Sequence, residues 1–148
     1  MEIKLADPDR VREIAELFND YRNFYQQESD IAGAVEFLQA RFEKKDSVIF
    51  TANDGSRLAG FVQLYPSYSS VSMKRTWILN DLFVAEPYRR KNAAKQLMEA
   101  AKKHAQSTGA LRLQCSTQSA NIPAQKLYES LGYLKDEVFY HYALSVEK

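Results

Sequence analysis

Trp77-Ile-Leu-Asn-Asp-Leu-Phe-Val-Ala-Glu-Pro-Tyr-Arg-Arg-Lys-Asn-Ala-Ala-Lys-Gln-Leu-Met98 reads as strand, basic turn and helix in a single run. Trp77 to Val84 is rich in β-branched and aromatic side chains and has the length of a strand. Pro87 ends it, because proline donates no ladder hydrogen bond. From Ala94 the apolar positions Ala94, Leu97, Met98, Ala101 and Ala105 recur at helical spacing. Between strand and helix lie Arg89, Arg90, Lys91 and Asn92. The first amides of a helix have no internal partners and its dipole favours an anion. Three cations at such a start suit a phosphate or pyrophosphate, although a solvated basic turn has the same composition.

Upstream, Ile3 to Leu5 is a short strand candidate, and Asp7-Pro8 supplies a cap and a first-turn proline. Val11, Ile14, Phe18, Tyr21 and Tyr25 mark one helix face, and Ile31, Val35, Leu38 and Phe42 mark a second. Ser47 to Ala52 and Leu58 to Tyr65 read as strands around the turn Asn53-Asp54-Gly55-Ser56, with Gly60 signalling a bulge or close packing. Pro66 to Ser72 reads as a polar tip. Three strands joined by short turns imply an antiparallel meander.

Downstream, Thr108-Gly109 stops the helix and Leu111 to Ser116 is a strand. It returns past a helix, so it should lie parallel to the Trp77 strand. Asn121 is placed to cap a helix with Pro123 in its first turn and Ala124, Leu127, Tyr128 and Leu131 inward. Gly132 ends it, and Tyr133 to Ser145 reads as one bent strand or two. The predicted order is β-α-α-β-β-β-α-β-α-β. The fold class is therefore α/β with a mixed sheet, an antiparallel meander leading into a parallel central pair with flanking helices.

The 148 residues suit one domain, 1–148, with its own core. No apolar run has membrane-spanning length and no secretory pattern opens the sequence, so a cytoplasmic protein without membrane partners is expected. Cys115 alone builds no disulfide, and with two histidines it makes no typical zinc site, so no metal is expected. The net charge of +1 hides an asymmetry: up to Gly60 there are 12 acidic and 8 basic residues, and from Phe61 on there are 7 and 12. Such a chain suits a cation at one part and a polyphosphate at the other. A net charge near zero and no basic-aromatic module argue against nucleic acid.

The turn Arg89-Arg90-Lys91-Asn92-Ala93-Ala94 resembles the acyl-CoA motif of the GNAT family of N-acetyltransferases, Arg/Gln-x-x-Gly-x-Gly/Ala. Asn92 replaces the middle glycine, and asparagine is among the few residues that tolerate the left-handed region glycine is used for. A second signature, Asn121-x-x-Ala124-x-x-x-Tyr128-x-x-x-Gly132-Tyr133, follows at the family's separation. The resemblance implies a GNAT fold whose parallel central strands splay apart around acetyl-CoA, the cosubstrate. It implies that main-chain groups of Leu82, Phe83 and Val84 bind the pantetheine arm. Amides from Arg89, Arg90, Lys91, Asn92, Ala93 and Ala94 would hold the pyrophosphate, and Asn121 would bond the cofactor from the other side. Tyr128 would sit near its sulfur and protonate the leaving thiolate, as a phenol is able to do, or would be an inward core tyrosine.

Some polyamine-acetylating members carry Glu-Asp in the central strand where this chain has Asn80-Asp81, so the resemblance is nearest to the diamine and polyamine branch. Asp81 and Asn80 are the candidates for handling the amine, though alternation along a strand turns neighbours to opposite faces. The implied activity is acetyl transfer from acetyl-CoA to a primary amine, with a small cationic amine or polyamine as first acceptor and a protein amine as another. The alternative is a non-catalytic acyl-CoA-binding sensor or regulatory module. The aromatic segment Val138 to Leu144 would leave an apolar edge on a lone chain unless its own sheet covers it, and since many members of the family it resembles pair there, the resemblance implies a homodimer.

Overall fold

The antiparallel meander predicted from the turn chemistry is the frame of the computed structural model, which describes residues 1–147. Five strands lie in the order β1 (Glu2–Leu5), β2 (Val48–Asp54), β3 (Arg57–Ser69), β4 (Lys74–Val84) and β5 (Leu113–Gln114). The first four pair antiparallel in succession, and β5 pairs parallel to β4 through Trp77 with Leu113 and Ile78 with Gln114. Helices α1 (Val11–Phe24), α2 (Ile31–Lys44) and α3 (Ala93–Ser107) complete residues 1–116, which form one compact unit. Residues from 117 onward form a second, built around α4 (Ile122–Ser130).

Local chemistry sets the element ends. Asp7 accepts from the Asp9 amide at 2.9 Å, and Pro8–Arg10 winds as a 3-10 turn into α1. Asp30 Oδ1 caps α2 from the Gly33 amide at 2.9 Å. Gly55 turns the β2–β3 hairpin at φ +61°. The backbone of Gly60 packs so closely on β4 that a Cβ there would meet the Phe83 carbonyl oxygen at 2.5 Å. Strand β3 runs on through Pro66, which the sequence reading placed in the tip. Trp77, opposite Pro66, gives its amide to Arg112, and β2 has already ended at Val48 opposite Leu64, so the proline interrupts no ladder bond.

The sheet buries both faces. On one, Ile14 and Leu38 from α1 and α2 pack with Ile49 and Phe61, and the Phe61 ring meets Phe18 and Tyr21. On the other, α3 lies across β2, β3 and β4, burying Leu97, Met98 and Ala101, while its His104 ring meets Phe50 and Trp77. Each fully buried Leu or Met contributes about 1.5–3 kcal/mol.

In the second unit, Asn121 caps α4 by accepting from the Ala124 amide at 3.2 Å, and Gly132 leaves it at φ +89°. The strand predicted over Tyr133 to Ser145 is absent: residues 133–147 are irregular. The amides of Val138 and Phe139 donate to Asp136 Oδ1 at 2.9 and 3.1 Å, and these two bonds hold its carboxyl below the usual range. The segment has strand composition but joins no ladder among the described residues, and composition alone makes no strand. The predicted Leu111 to Ser116 strand shrinks for a related reason, since only Leu113 and Gln114 stay in register with β4.

Candidate active site

Strand β4 carries the centre of the site, and one irregularity in it decides what faces where. Gln63 pairs with Asp81 but Leu64 pairs with Leu79, so Asn80 is an extra residue bulged out of β4. Before it, the odd-numbered Trp77 side chain points to α3. After it, the odd-numbered Phe83 points to α1, its ring 5.9 Å from Tyr21. Asp81 therefore lies on the α1/α2 face beside Gln63. Asp81 is 7% exposed and Asn80 is exposed, but the strict alternation expected between them fails at the bulge. The bulge nevertheless brings them together: Asn80 Nδ2 donates to Asp81 Oδ1 at 3.1 Å, and Gln63 Nε2 donates to Asp81 Oδ2 at 2.9 Å.

No Lys or Arg among the described residues forms an ion pair with Asp81. Its partners are neutral carboxamides, so this buried carboxyl group is paired with no cation among the described residues. Gln63 is fully buried, and its Oε1 accepts nothing from the described residues. Tyr65, two residues along the same strand, is pushed up to about 12, first by burial and then by Asp81, so its phenol keeps its proton at neutral pH. Arg41, whose charge opposes that shift, pairs with Asp46 at 3.3 Å. Sequence reasoning missed Gln63 and Tyr65. The available signal was one amide inside the apolar run Leu58 to Tyr65.

The far half of β4 has an open edge. The β5 ladder stops at Gln114, opposite Ile78, while β4 continues to Val84. Ala85 gives its amide to Ala59, so by alternation the main chain of Phe83 also turns to β3, and that of Leu82 and Val84 turns to the open side. The Val84 carbonyl accepts from Arg89 Nε at 2.9 Å, and the Arg89 guanidinium lies 5.6 Å from the Phe83 ring centre. Of the three main-chain positions expected to line a cofactor, two face the gap and Phe83 is committed to the sheet.

The basic turn follows. Arg90 and Asn92 both adopt the left-handed region, at φ 65° and 63°. Asn92 thus occupies the conformation that the glycine it replaces would allow. It stands at the N-cap of α3 without a side-chain cap bond, and the first α3 amide bonded to it is that of Gln96. The amides of Ala93, Ala94 and Lys95 are therefore not consumed by a cap. Arg89, Arg90, Lys91 and Asn92 are exposed around them, with Lys91 Nζ 5.9 Å from the Tyr88 ring centre. Three helix-start amides ringed by cations form a donor set that fits a pyrophosphate.

In residues 117–147, the Asn121 side-chain oxygen is engaged in its cap, and Tyr128 lies on the half-buried face of α4 with its ring 6.0 Å from that of Tyr133. The Tyr128 carbonyl accepts the Tyr133 amide at 3.0 Å, which ties the motif tyrosine to the aromatic residue after Gly132. No cluster of His, Cys, Asp and Glu able to hold a metal occurs among the described residues. No helix among them is long and apolar enough to cross a membrane.

Comparison with known proteins extends these observations. The uncharacterized N-acetyltransferase YhfO of Bacillus subtilis is 49% identical over 146 residues, 99% of this chain and 98% of that one. The L-ornithine N5-acetyltransferase of Arabidopsis thaliana is 37% identical over 75 residues, 51% of this chain and 33% of that one. A crystal structure of a probable acetyltransferase superposes with a TM-score of 0.94 at 43% identity, covering 100% of this chain and 99% of that one. The model of the acetyltransferase (GNAT) family matches residues 11–133. With both motifs inside the matched span, the chain belongs to the GNAT family and is an acyltransferase of that kind.

Proposed function

We propose that this enzyme transfers the acetyl group of acetyl-CoA to the primary amine of a small cationic acceptor. The observation that carries this reading is Asp81, a buried carboxyl group held by two carboxamides and paired with no cation among the described residues. An acceptor ammonium supplies the missing charge. The named substrate of the Arabidopsis relative, L-ornithine, carries such an amine.

Acetyl-CoA supplies an activated acyl group on a thiolate leaving group. The amides at the start of α3, with Arg89, Arg90 and Lys91, hold its pyrophosphate, and the main chain of Leu82 and Val84 holds its pantetheine arm. Asp81 orients the ammonium and accepts its proton directly or through water. An amine of pKa about 10 is about one-thousandth neutral at pH 7, so removing that proton is a real part of the barrier. Gln63 and Asn80 fix the Asp81 carboxylate without neutralising it. Tyr128 donates its phenolic proton to the departing thiolate, and Asn121 steadies the cofactor through its amide group. The amine nitrogen thus gains the acyl carbon and the carbon–sulfur bond breaks; of the two protons the ammonium loses, one leaves to solvent through Asp81, and the other balances the proton given to the thiol, restoring the Tyr128 phenol.

The test is a panel of polyamines, diamines, ornithine, lysine analogues and a lysine-containing peptide, with acetyl-CoA and a thiol-reactive dye. Thiol release with the small cationic amines is expected. Binding of acetyl-CoA by calorimetry with no thiol release from any amine would instead make the chain an acyl-CoA sensor.

A further inference from the structure

We propose that Gln63 reads the acceptor nitrogen directly: its side-chain oxygen accepts one N–H of the amine beside Asp81, so the site takes unsubstituted primary amines and rejects N-alkylated ones. This rests on the amine-acetylating reading above and adds to it a residue and a rule of selection. Gln63 is the one polar side chain in the run Leu58-Ala-Gly-Phe-Val-Gln-Leu64 and is 0% exposed. A methionine or leucine would fill that place with no polar group to satisfy, so the carboxamide stands there against a desolvation penalty. Holding Asp81 uses only half of it, the Nε2 donation to Asp81 Oδ2 at 2.9 Å.

That bond also fixes which atom is which. Turned over, the amide would set its oxygen against a carboxylate oxygen, and neither donates to the other. The oxygen therefore occupies the other branch of the amide. There Oε1 is buried and accepts from none of the described residues. The neighbouring donor, Asn80 Nδ2, is engaged by Asp81 Oδ1 at 3.1 Å. Buried carbonyl oxygens are paired in the great majority of cases, so this one calls for a donor from outside the chain.

Oε1 and Nε2 share one carbon, so Oε1 lies next to the Asp81 carboxyl group. A charged acceptor and a neutral one thus stand side by side on the α1/α2 face. Phe61 precedes Gln63 and Phe83 follows Asp81 on that face; the two are paired across the strands, and both rings meet Tyr21. These rings keep water from that flank, and a hydrogen bond made there is strengthened.

The reaction uses two acceptors of this kind. When the neutral amine attacks, its lone pair points at the acyl carbon and its two N–H groups point away. The N–H on Asp81 is the one whose proton is lost after attack, because the carboxylate is the base. The N–H on Gln63 stays on nitrogen and becomes that of the amide product. An amide oxygen suits this second place, since it accepts a hydrogen bond without taking the proton. An N-methylated amine has a single N–H in this geometry, and seating it sets a methyl group against Oε1 or Asp81. A buried acceptor left unpaired is what makes such a site selective.

The experiment is calorimetry on the full chain, with and without CoA. The probes are putrescine, L-ornithine and the forms of each methylated on the side-chain nitrogens. At least one primary amine should bind about 30-fold more tightly than its methylated form, the size of one hydrogen bond to a charged group. Gln63→Met should bring that ratio to within about threefold by weakening the primary amine, and kcat/KM with acetyl-CoA should show the same collapse. If Gln63 only holds Asp81 in place, the variant lowers both forms by one factor and keeps the ratio, which overturns the proposal. A parent chain that binds both forms equally overturns it, as an ordered water on Oε1 would allow, and so does a parent that binds neither. Should the variant fail to fold, the carbon resonance of the Gln63 side-chain carbonyl in the parent decides. It should move downfield with the primary amine and hold still with the methylated one; equal movement overturns the proposal. The two readings fail separately. A binding contrast without thiol release from any amine removes the transfer activity and keeps the role of Gln63, whereas thiol release with a flat ratio does the reverse.

Discussion

Residues 1–116 and residues 117–147 are held by different means. Every buried residue among those described lies between Ala6 and Ala105, on the two faces of one sheet. The second unit buries none, and the bonds within it include the Asn121 cap, the turn at Gly132 and the Asp136 turn. Local bonds of this kind define a shape but add little stability, and a nine-residue helix is marginal by itself in water. The two motifs that name the family are split across this division, with the basic turn in the first unit and Tyr128 in the second. Catalytic placement and folding stability are thus expected to respond to different mutations.

The largest contrast is in stability. Leu97→Ala, in the core under α3, should cost about 2–5 kcal/mol, whereas Leu144→Ala should cost under about 0.5 kcal/mol in dilute chain. Urea melts of both variants measure this, and equal losses would erase the distinction. Next comes Tyr128→Phe, which keeps the ring and removes the proton donor. It should lower kcat about 100-fold with acetyl-CoA affinity held. Unchanged kcat would assign thiolate protonation to water or another donor.

A smaller effect is expected from Arg89→Glu with Arg90→Glu. Both side chains are exposed, so solvent screens them, and the double change should weaken CoA about 30-fold at low salt and less at high salt. Calorimetry at two ionic strengths decides it. The smallest is Asp81→Asn, which should raise KM for the amine about tenfold at pH 7. The acceptor is cationic below its pKa of about 10, so the attraction is present there and lost as pH rises through it. The deficit should therefore shrink toward pH 10. A loss equal at every pH would make Asp81 a residue of the fold alone.

Much of the first unit was legible because its signals are local. Asp-Gly at 54–55, Asp7-Pro8 and the helical spacing of Leu97, Met98 and Ala101 each report their own neighbourhood. The Asn92 substitution was legible too, since only a few residues accept φ near +63°. What stayed hidden was pairing. Nothing in Leu111 to Ser116 says that only Leu113 and Gln114 pair in register with β4, and nothing in Tyr133 to Ser145 says that residues 133–147 are irregular. Gln63 was hidden for the same reason: its meaning lies in Asp81, eighteen residues away, and appears only when the register is known.

The bulge at Asn80 behaves like a shift of reading frame. Upstream of it, odd-numbered side chains of β4 address α3 and its apolar layer; downstream, odd-numbered side chains address α1 and α2. One inserted residue thus lets a single strand be written in two phases, the first spelling a core and the second a polar site. Without that shift, the sequence Asp81-Leu82-Phe83-Val84 in regular alternation would turn the carboxylate into the hydrocarbon beneath α3 and Leu82 toward α1. The chemistry of this protein therefore depends on residue count as much as on residue type.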